Sequence, residues 1–372
     1  MKNPFDEKTY LQRTIEREMD IRGDYFRDQT AIIHSMPFRR LKHKTQVFYA
    51  PDNDHVCTRI EHVLHVATIA ATVCKGLNRY GWDLDMEMAY AIGIGHDLGH
   101  APFGHQGEKA LDKILGGNNA FVHEVNSYRV VEKLANNGQG MNLTFGVKDG
   151  IICHNGEKFE QSLKPSTSLN NLDEIKNRQF ISNSYEGCIM RFSDKIAYLG
   201  RDIEDAVKAG FVEWKNIPEK VQKALGNSNG EIINKLIIDI IEASKNTDSI
   251  KLSDEKHELM LELVKFNYEH IYFHKKLQEY NVFCHKIIEN IFNHLCELYE
   301  KFGRNFELYR QSHIKLDVAF GNHIEKMNDF YQGNEDNIRI IASDYIAGMS
   351  DLYALDCIKQ ITLPKPISFD LR

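Results

Sequence analysis

His96-Asp97-Leu98-Gly99-His100-Ala101-Pro102-Phe103-Gly104-His105-Gln106-Gly107-Glu108 puts five ionisable or metal-binding side chains into thirteen positions. An apolar run, Met86-Glu87-Met88-Ala89-Tyr90-Ala91-Ile92-Gly93-Ile94-Gly95, leads into it. That run reads as a buried helix, with His96 and Asp97 standing at its end. Both side chains can enter one cavity if the helix stops or distorts there. A neutral imidazole beside a carboxylate is a hard-to-intermediate ligand pair, suited to Mn, Fe, Co, Ni, Zn or Mg. The bland alternative is a polar helix end with capping roles. The density of further candidate ligands weighs against it.

Upstream, Thr58 is placed to cap a helix, with Glu61 at capping-box distance. From Arg59 to about Leu77, apolar residues such as Ile60, Val63, Leu64, Ala67, Ala70 and Cys74 recur at helical spacing, so one face is buried. His62 and His65 lie on or beside that face. A lone His there is more often a core or surface residue, and His62 gains interest because the downstream pair needs another nitrogen donor. Pro51-Asp52-Asn53-Asp54-His55 is a turn cluster. The stretch from Pro37 to Phe48 carries Arg39, Arg40, Lys42, His43 and Lys44 around apolar residues. Such a run is usually a solvated helix face, with an anion pocket as the sharper alternative. Asp24 to His34 reads as a helix, Ser35 caps the next segment, and the charged residues before Gly23 read as a surface arm or lid.

Downstream, Gly107 to Leu115 is expected to be helical, ending at Gly116-Gly117. Phe121 to Leu134 and Leu143 to Cys153 follow as helices, separated by Gly138-Gln139-Gly140. Lys158 to Arg178 is rich in Ser, Asn and charge and contains Pro165, which suggests a long mobile loop or lid. Ser184 to Gly210 carries Asp194, Tyr198 and Asp202 at i, i+4 and i+8, with Asp205 continuing the stripe. Carboxylates flanked by Ile196, Ala197 and Leu199 point to a buried stripe and hence to ligands. From Val221 to Gln332 the pattern is long amphipathic helices, whose aromatics, Phe266, Tyr268, Tyr272, Phe273, Phe283, Phe292 and Phe302, read as bundle core and subunit contacts. His285 and His294 are isolated. Ala347 and Gly348 permit close helix packing, and Pro364 and Pro366 end the helical part.

Composition sets the outer limits. The chain has 372 residues, 42% hydrophobic and 27% charged, as in a soluble globular protein. A net charge of −7 exerts no general pull on nucleic acid or anionic membrane. No apolar run is long enough to span a bilayer, and Met1 to Glu7 lacks the apolar core of a signal peptide. Seven cysteines without a Cys-x-x-Cys indicate neither a disulfide framework nor a zinc ribbon, and a reducing cytoplasm fits.

Taken together, His62, His96, Asp97 and Asp194 supply two imidazoles and two carboxylates from three helices, leaving open positions on an octahedral ion. Glu108 lies at i+3 from His105, where it can orient the imidazole for acid–base work. His123 is an additional group, and Arg59, Lys195 and Tyr198 are candidates to hold phosphates and a sugar.

The order His62, His96-Asp97, Asp194 resembles the HD phosphohydrolase superfamily. The stretches 37–48, 51–66, 96–108, 121–131, 187–206 and 344–354 look, more closely, like the deoxyguanosine triphosphate triphosphohydrolases. The bare His-Asp pair is weak; HDLGHAPFGHQGE together with RFSDKIAYLGRDIEDA is specific.

The resemblance implies an all-α, HD-domain helical bundle with additional C-terminal helices and few or no strands. It implies one unit over 1–372, with a catalytic core at 55–206 and a helical extension at 207–372 that completes the core and subunit contacts. It further implies hydrolysis of dGTP or another dNTP to deoxynucleoside and inorganic triphosphate, with a divalent metal, chiefly Mn or Mg in activity. His62, His96, Asp97 and Asp194 match metal ligands, and His105, Glu108 and His123 match catalytic residues. Arg59, Lys195 and Tyr198 match substrate contacts, and Gln46 and Asp202 match readers of the deoxyribose 3′-hydroxyl. His100 departs from the Asn of many bacterial members and resembles the nucleotide-activated relatives, where it lies near the phosphates. A homo-oligomer (dimer, tetramer or hexamer) and an activating nucleotide are implied partners; single-stranded nucleic acid is not indicated. The alternatives are an HD-type 5′-nucleotidase or phosphodiesterase, and a nucleotide-sensing or single-strand-binding regulator without turnover.

Overall fold

The computed structural model describes residues 1–47, 56–334 and 337–363; the turn cluster 51–55 and the closing prolines Pro364 and Pro366 lie outside them. Helices dominate, as expected of an all-α chain. The strands among the described residues are β1 (Ser162–Leu163) and β2 (Ile250–Lys251), two residues each and antiparallel, with Ser162 opposite Lys251.

The core is assembled around α2 (Arg59–Asn78), which follows α1 (Asp24–Ile33), and α3 (Met86–Gly95). The capping box forms at the head of α2, where the Thr58 N–H donates to Glu61 at 2.8 Å. One face of α2 buries Val63, Val66, Ala67, Ala70, Val73 and Leu77. Each of these valines and the leucine contributes about 1.5–3 kcal/mol of burial, and each alanine less. α3 is apolar nearly all round and correspondingly buried. Gly93 lets it lie directly on α2, because a Cβ there would sit 2.5 Å from the Ala67 Cα. The close approach brings the end of α3, and with it His96, beside His62 of α2.

Four shorter or longer helices complete this half: α4 (His105–Leu115), α5 (His123–Arg129), α6 (Phe145–Ile152) and α7 (Tyr185–Lys208). α4 ends on Gly116 in the left-handed conformation, as the Gly-Gly pair foretold. The helix expected over 121–134 is split: after Arg129 the turn widens to a π-helix over Val130–Leu134. α7 buries both its apolar and its acidic stripes, including Asp194, Asp202 and Asp205.

The second half adds α8 (Asn229–Ser244), α9 (Asp254–Asn267), α10 (Lys275–Phe302), α11 (Lys315–Lys326), α12 (Ile338–Ala347) and α13 (Asp351–Thr362). Ile232, Leu236, Leu259 and Leu263 of α8 and α9 pack into the first core, whereas Phe292, Leu295, Phe320, Ile341, Ile346 and Ala354 of α10–α13 form a second one, together with Phe103, Ala110 and Leu111 from the turn before α4 and from α4 itself. Not every aromatic is core: Phe273 and Phe283 are exposed. No helix among the described residues is long and apolar enough to cross a membrane.

The N-terminal stretch is a surface arm, as expected, and two other expectations change. The N-terminal arm is strapped down: the Asn3 side chain donates to Glu186 at 2.7 Å, the Tyr10 hydroxyl to the Asn183 carbonyl at 2.7 Å, and Arg13 pairs with Asp28 at 2.6 Å. Buried Glu186 and Asp28 need donors, and the arm supplies them. The segment 158–178 is irregular but pinned, through β1 and through Asn170, which donates to Asp149 at 2.7 Å. Within the basic run, Lys44 is buried, donating to the carbonyls of His100 and, at 2.8 Å, Ala347.

Candidate active site

His62, His96, Asp97 and Asp194 converge. His62 Nε2 lies 3.0 Å from Asp194 Oδ1 and 4.0 Å from Asp97 Oδ2. His96 Nε2 lies 3.3 Å from Asp97 Oδ1 and 3.8 Å from Asp194 Oδ1. The His96 Nδ1–H donates to the Gly93 carbonyl at 2.7 Å, which fixes the tautomer and leaves Nε2 with its lone pair. That Nε2 is buried and without a hydrogen-bond partner. Burial pushes the His96 imidazole below its ordinary range. Burial opposes the charge of Asp97 and Asp194, yet His96 and Arg59 for the first, and His62 and His96 for the second, hold both well below the usual carboxylate range. Two imidazoles, two carboxylates and an orphaned ring nitrogen fit a divalent cation. The Arg59 guanidinium donates to Asp97 Oδ2 and thereby adjoins the cluster.

Beside the cluster stands an imidazole–carboxylate group. Phe103, at φ +64°, turns the chain sharply into α4, whose first turn carries His105 and Glu108. His105 Nδ1 is 3.4 Å from Glu108 Oε2, and its ring is half exposed to the cleft. His123 makes the tighter contact: its Nδ1 is 2.9 Å from the same Glu108 oxygen, and its ring is buried. Although burial works against it, Glu124 and Glu108 hold the His123 imidazolium up to about 9. The i+3 spacing therefore found a real neighbour of Glu108 but not its closest imidazole. His100 stacks on His123 with ring centroids 4.0 Å apart.

His62, Asp97, Asp194, His105, Glu108 and His123 line one cleft of about 900 Å³ between the first-half helices, α4 and α10, with His96 buried behind it. Gln46, Arg59, His100, Tyr198 and Asp202 also line it. Gln46 Oε1 and Asp202 Oδ1 are buried polar atoms without hydrogen-bond partners. Burial, with Asp205 and Asp194 nearby, pushes the Asp202 carboxyl up to about 8, and the Tyr272 hydroxyl donates to its other oxygen. Lys195 is the exception among the expected substrate contacts. Its ammonium is fully buried against Glu160 at 3.0 Å, away from the cleft lining. Arg191 and Lys195, at i and i+4, both face Glu160, so the pair belongs to the 158–160 strand of chain rather than to the cavity.

The sequence reading passed over His154, Glu124 and Arg178. The His154 ring approaches His96 and His123, with centroids at 4.9 and 5.2 Å. Arg178 reaches back from the irregular segment to Glu108, Glu124 and Glu157. One signal was available for His154: like His96, it ends an apolar helix. Nothing local marked Arg178, whose partners lie 21 to 70 residues away.

An HD domain matches residues 59–199 and a phosphohydrolase-associated domain matches 250–360. A deoxyguanosinetriphosphate triphosphohydrolase-like protein of Caldanaerobacter subterraneus subsp. tengcongensis is 36% identical over 351 residues, covering 94% of this chain and 88% of its own. A protein of the same description from Clostridium tetani is 33% identical over 361 residues, covering 95% and 90%. Among solved structures, a hypothetical protein from Aquifex aeolicus aligns over 82% of this chain and 71% of its own, at 19% identity and a TM-score of 0.40.

Proposed function

This chain belongs to the HD-domain family of deoxyguanosinetriphosphate triphosphohydrolase-like proteins, and from that premise we propose that it is a metal-dependent hydrolase that cleaves deoxynucleoside triphosphates to deoxynucleoside and inorganic triphosphate. The observation that carries the reading is the convergence of His62, His96, Asp97 and Asp194 in one cluster, of which His62, Asp97 and Asp194 line a cleft that also holds Glu108 between two imidazoles.

His62, His96, Asp97 and Asp194 would hold the divalent ion. When bound, the ion supplies Lewis-acid polarisation of a phosphoryl oxygen. Arg59 offers a guanidinium to the phosphates from the cluster's edge, with His100 and Tyr198 along the same wall. Gln46 Oε1, an acceptor, and the Asp202 carboxyl, which burial keeps protonated at neutral pH, are left without partners there and suit a sugar hydroxyl. In the reaction a water adds to Pα and gives up a proton, while the Pα–O5′ bond breaks and O5′ takes one up. His105 is the imidazole open to the cleft, and Glu108 holds its other side, so this pair moves the proton. His123 shares Glu108 and keeps that carboxylate in place.

The test is incubation of the purified protein with each dNTP, singly and in pairs to supply an activator, with Mn or Mg, followed by product separation. Inorganic triphosphate is the expected product. Pyrophosphate or orthophosphate would turn the reading to a nucleotidase or phosphodiesterase, and nucleotide binding without turnover to a regulator.

A further inference from the structure

We propose that the outer end of the cleft is a separate anion subsite that holds linear inorganic polyphosphate: the triphosphate product on its way out, and longer chains of the same chemistry. For the product, the inference rests on reading the cleft as a site that releases triphosphate. One stripe of α4 points to it. His105, Lys109 and Lys113 stand at i, i+4 and i+8, so a single helix face runs from His105 to two ammonium groups about 6 and 12 Å further along the axis. Lys109 and Lys113 line the same cleft as His105, and so do His285 and Lys286 of α10. The cations of the two helices feel one another: burial, then Lys113 and Lys109, push the His285 imidazole below its ordinary range.

The carboxylates at this end do not cancel the charge. Asp112 accepts the Phe121 N–H at 3.2 Å, and Glu289 offsets only part of what the lysines do to His285. Among the described residues, none of Lys109, Lys113 and Lys286 has an ion-pair partner, and all three are exposed. Other surface lysines are paired, as Lys220 is with Glu262, Lys223 with Glu219 and Lys245 with Glu242. In a chain of net charge −7, three unpaired ammonium groups on facing helices make a local field of the opposite sign. The inner end carries the ionised Asp97, Glu108 and Asp194. An anion set free beside His105 therefore has carboxylates behind it and ammonium groups ahead. Lysines are flexible point charges, which suits a phosphate chain that slides past them without a fixed register.

The experiment is calorimetric titration of the full chain in Mg buffer with orthophosphate, inorganic triphosphate and a longer linear polyphosphate. Affinity is expected to rise in that order. Triphosphate affinity is expected to fall about tenfold or more when Lys113→Gln and Lys286→Gln are combined, both at exposed positions. No triphosphate binding to the wild type, or triphosphate affinity unchanged in the double variant, would overturn the proposal. So would orthophosphate binding as tightly as triphosphate. A single-stranded oligodeoxynucleotide that binds more tightly than polyphosphate, and is lost in the same variant, would overturn it in favour of nucleic acid. The dNTP product assay is read separately. Triphosphate binding without dNTP turnover would sink the proposed function and leave the subsite to free polyphosphate. Turnover with triphosphate binding that the double variant does not alter would sink the subsite alone.

Discussion

Arg178 Nη2 donates to Glu108 Oε1 at 2.7 Å, and its Nε donates to Glu124 Oε1 at the same distance. A residue from the irregular segment thus clamps both carboxylates that hold His123. Removing the clamp leaves two buried carboxylates to find other donors or to shift. Arg178→Ala is expected to lower the rate of triphosphate release about 10–100-fold, as loss of outer partners does at metal sites. Arg178→Lys keeps the charge but not the fork and should fall between. An unchanged rate in Arg178→Ala would show that the clamp is ornamental.

His105 and Glu108 separate binding from turnover. His105→Ala should leave nucleotide affinity within about twofold while turnover falls at least about 100-fold, since general acid–base catalysis is worth that much. Equilibrium binding and single-turnover rates measured on the same preparation decide it. A parallel loss of affinity would move His105 from proton transfer to substrate holding.

Asp194 sits against both His62 and His96. Asp194→Ala removes one of two carboxylates from the cluster, and the variant is expected to lose bound metal and at least about 1000-fold in activity. A chelator should do the same to the wild type, and added Mn or Mg should restore the wild type but not the variant. Full activity after exhaustive metal removal would contradict the metal reading.

Gly99 lies where the turn after the His-Asp pair meets the head of α5. A Cβ there would stand 2.1 Å from the Ser127 nitrogen and 2.3 Å from the Asn126 carbonyl carbon. Backbone cannot give way as a flexible side chain can. Gly99→Ala should therefore destabilise the fold by about 3 kcal/mol or more, and it should drive α5, with His123, away from Asp97. Denaturant unfolding reads the first effect. A variant as stable as the parent would mean that α5 can shift freely.

Burial lifts the Glu186 carboxyl from its ordinary value to about 7. The folded chain therefore holds a proton there that the unfolded chain releases from about pH 4.5 upward. The associated stability is complete below the unfolded value and is lost as pH rises through about 7. At 1.36 kcal/mol per unit the span is about 3 kcal/mol. Glu186→Gln should flatten the decline in unfolding free energy between pH 5 and 8. An equally steep decline in the variant would assign it to other groups.

Much of this site was legible because it hangs on periodicity. The apolar run Met86–Gly95 located the end of a buried helix, and the i, i+4, i+8 stripe of Asp194, Tyr198 and Asp202 located the opposite wall. Both are local patterns, fixed by helix geometry. What local patterns do not carry is which of two imidazoles a carboxylate prefers. Glu108 lies three residues from His105 and fifteen from His123, yet the tighter contact is the distant one, because α5 folds back over the first turn of α4. Lys195 illustrates the converse. Its helical face was readable, but its choice of Glu160 depended on the path of an irregular segment that no period describes.

Asp351 opens α13 and accepts from the Thr45 N–H and the Phe103 N–H, both at 2.8 Å, while Lys44 ties the His100 carbonyl to that of Ala347. The turn that delivers His105 is thus stitched to residues almost 250 positions later. A shortened gene ending after α7 would encode every proposed ligand and still leave Lys44 and the Phe103 turn without their anchors. Minimal catalytic fragments, whether made by proteolysis or by expression, should be inert for want of a distant aspartate.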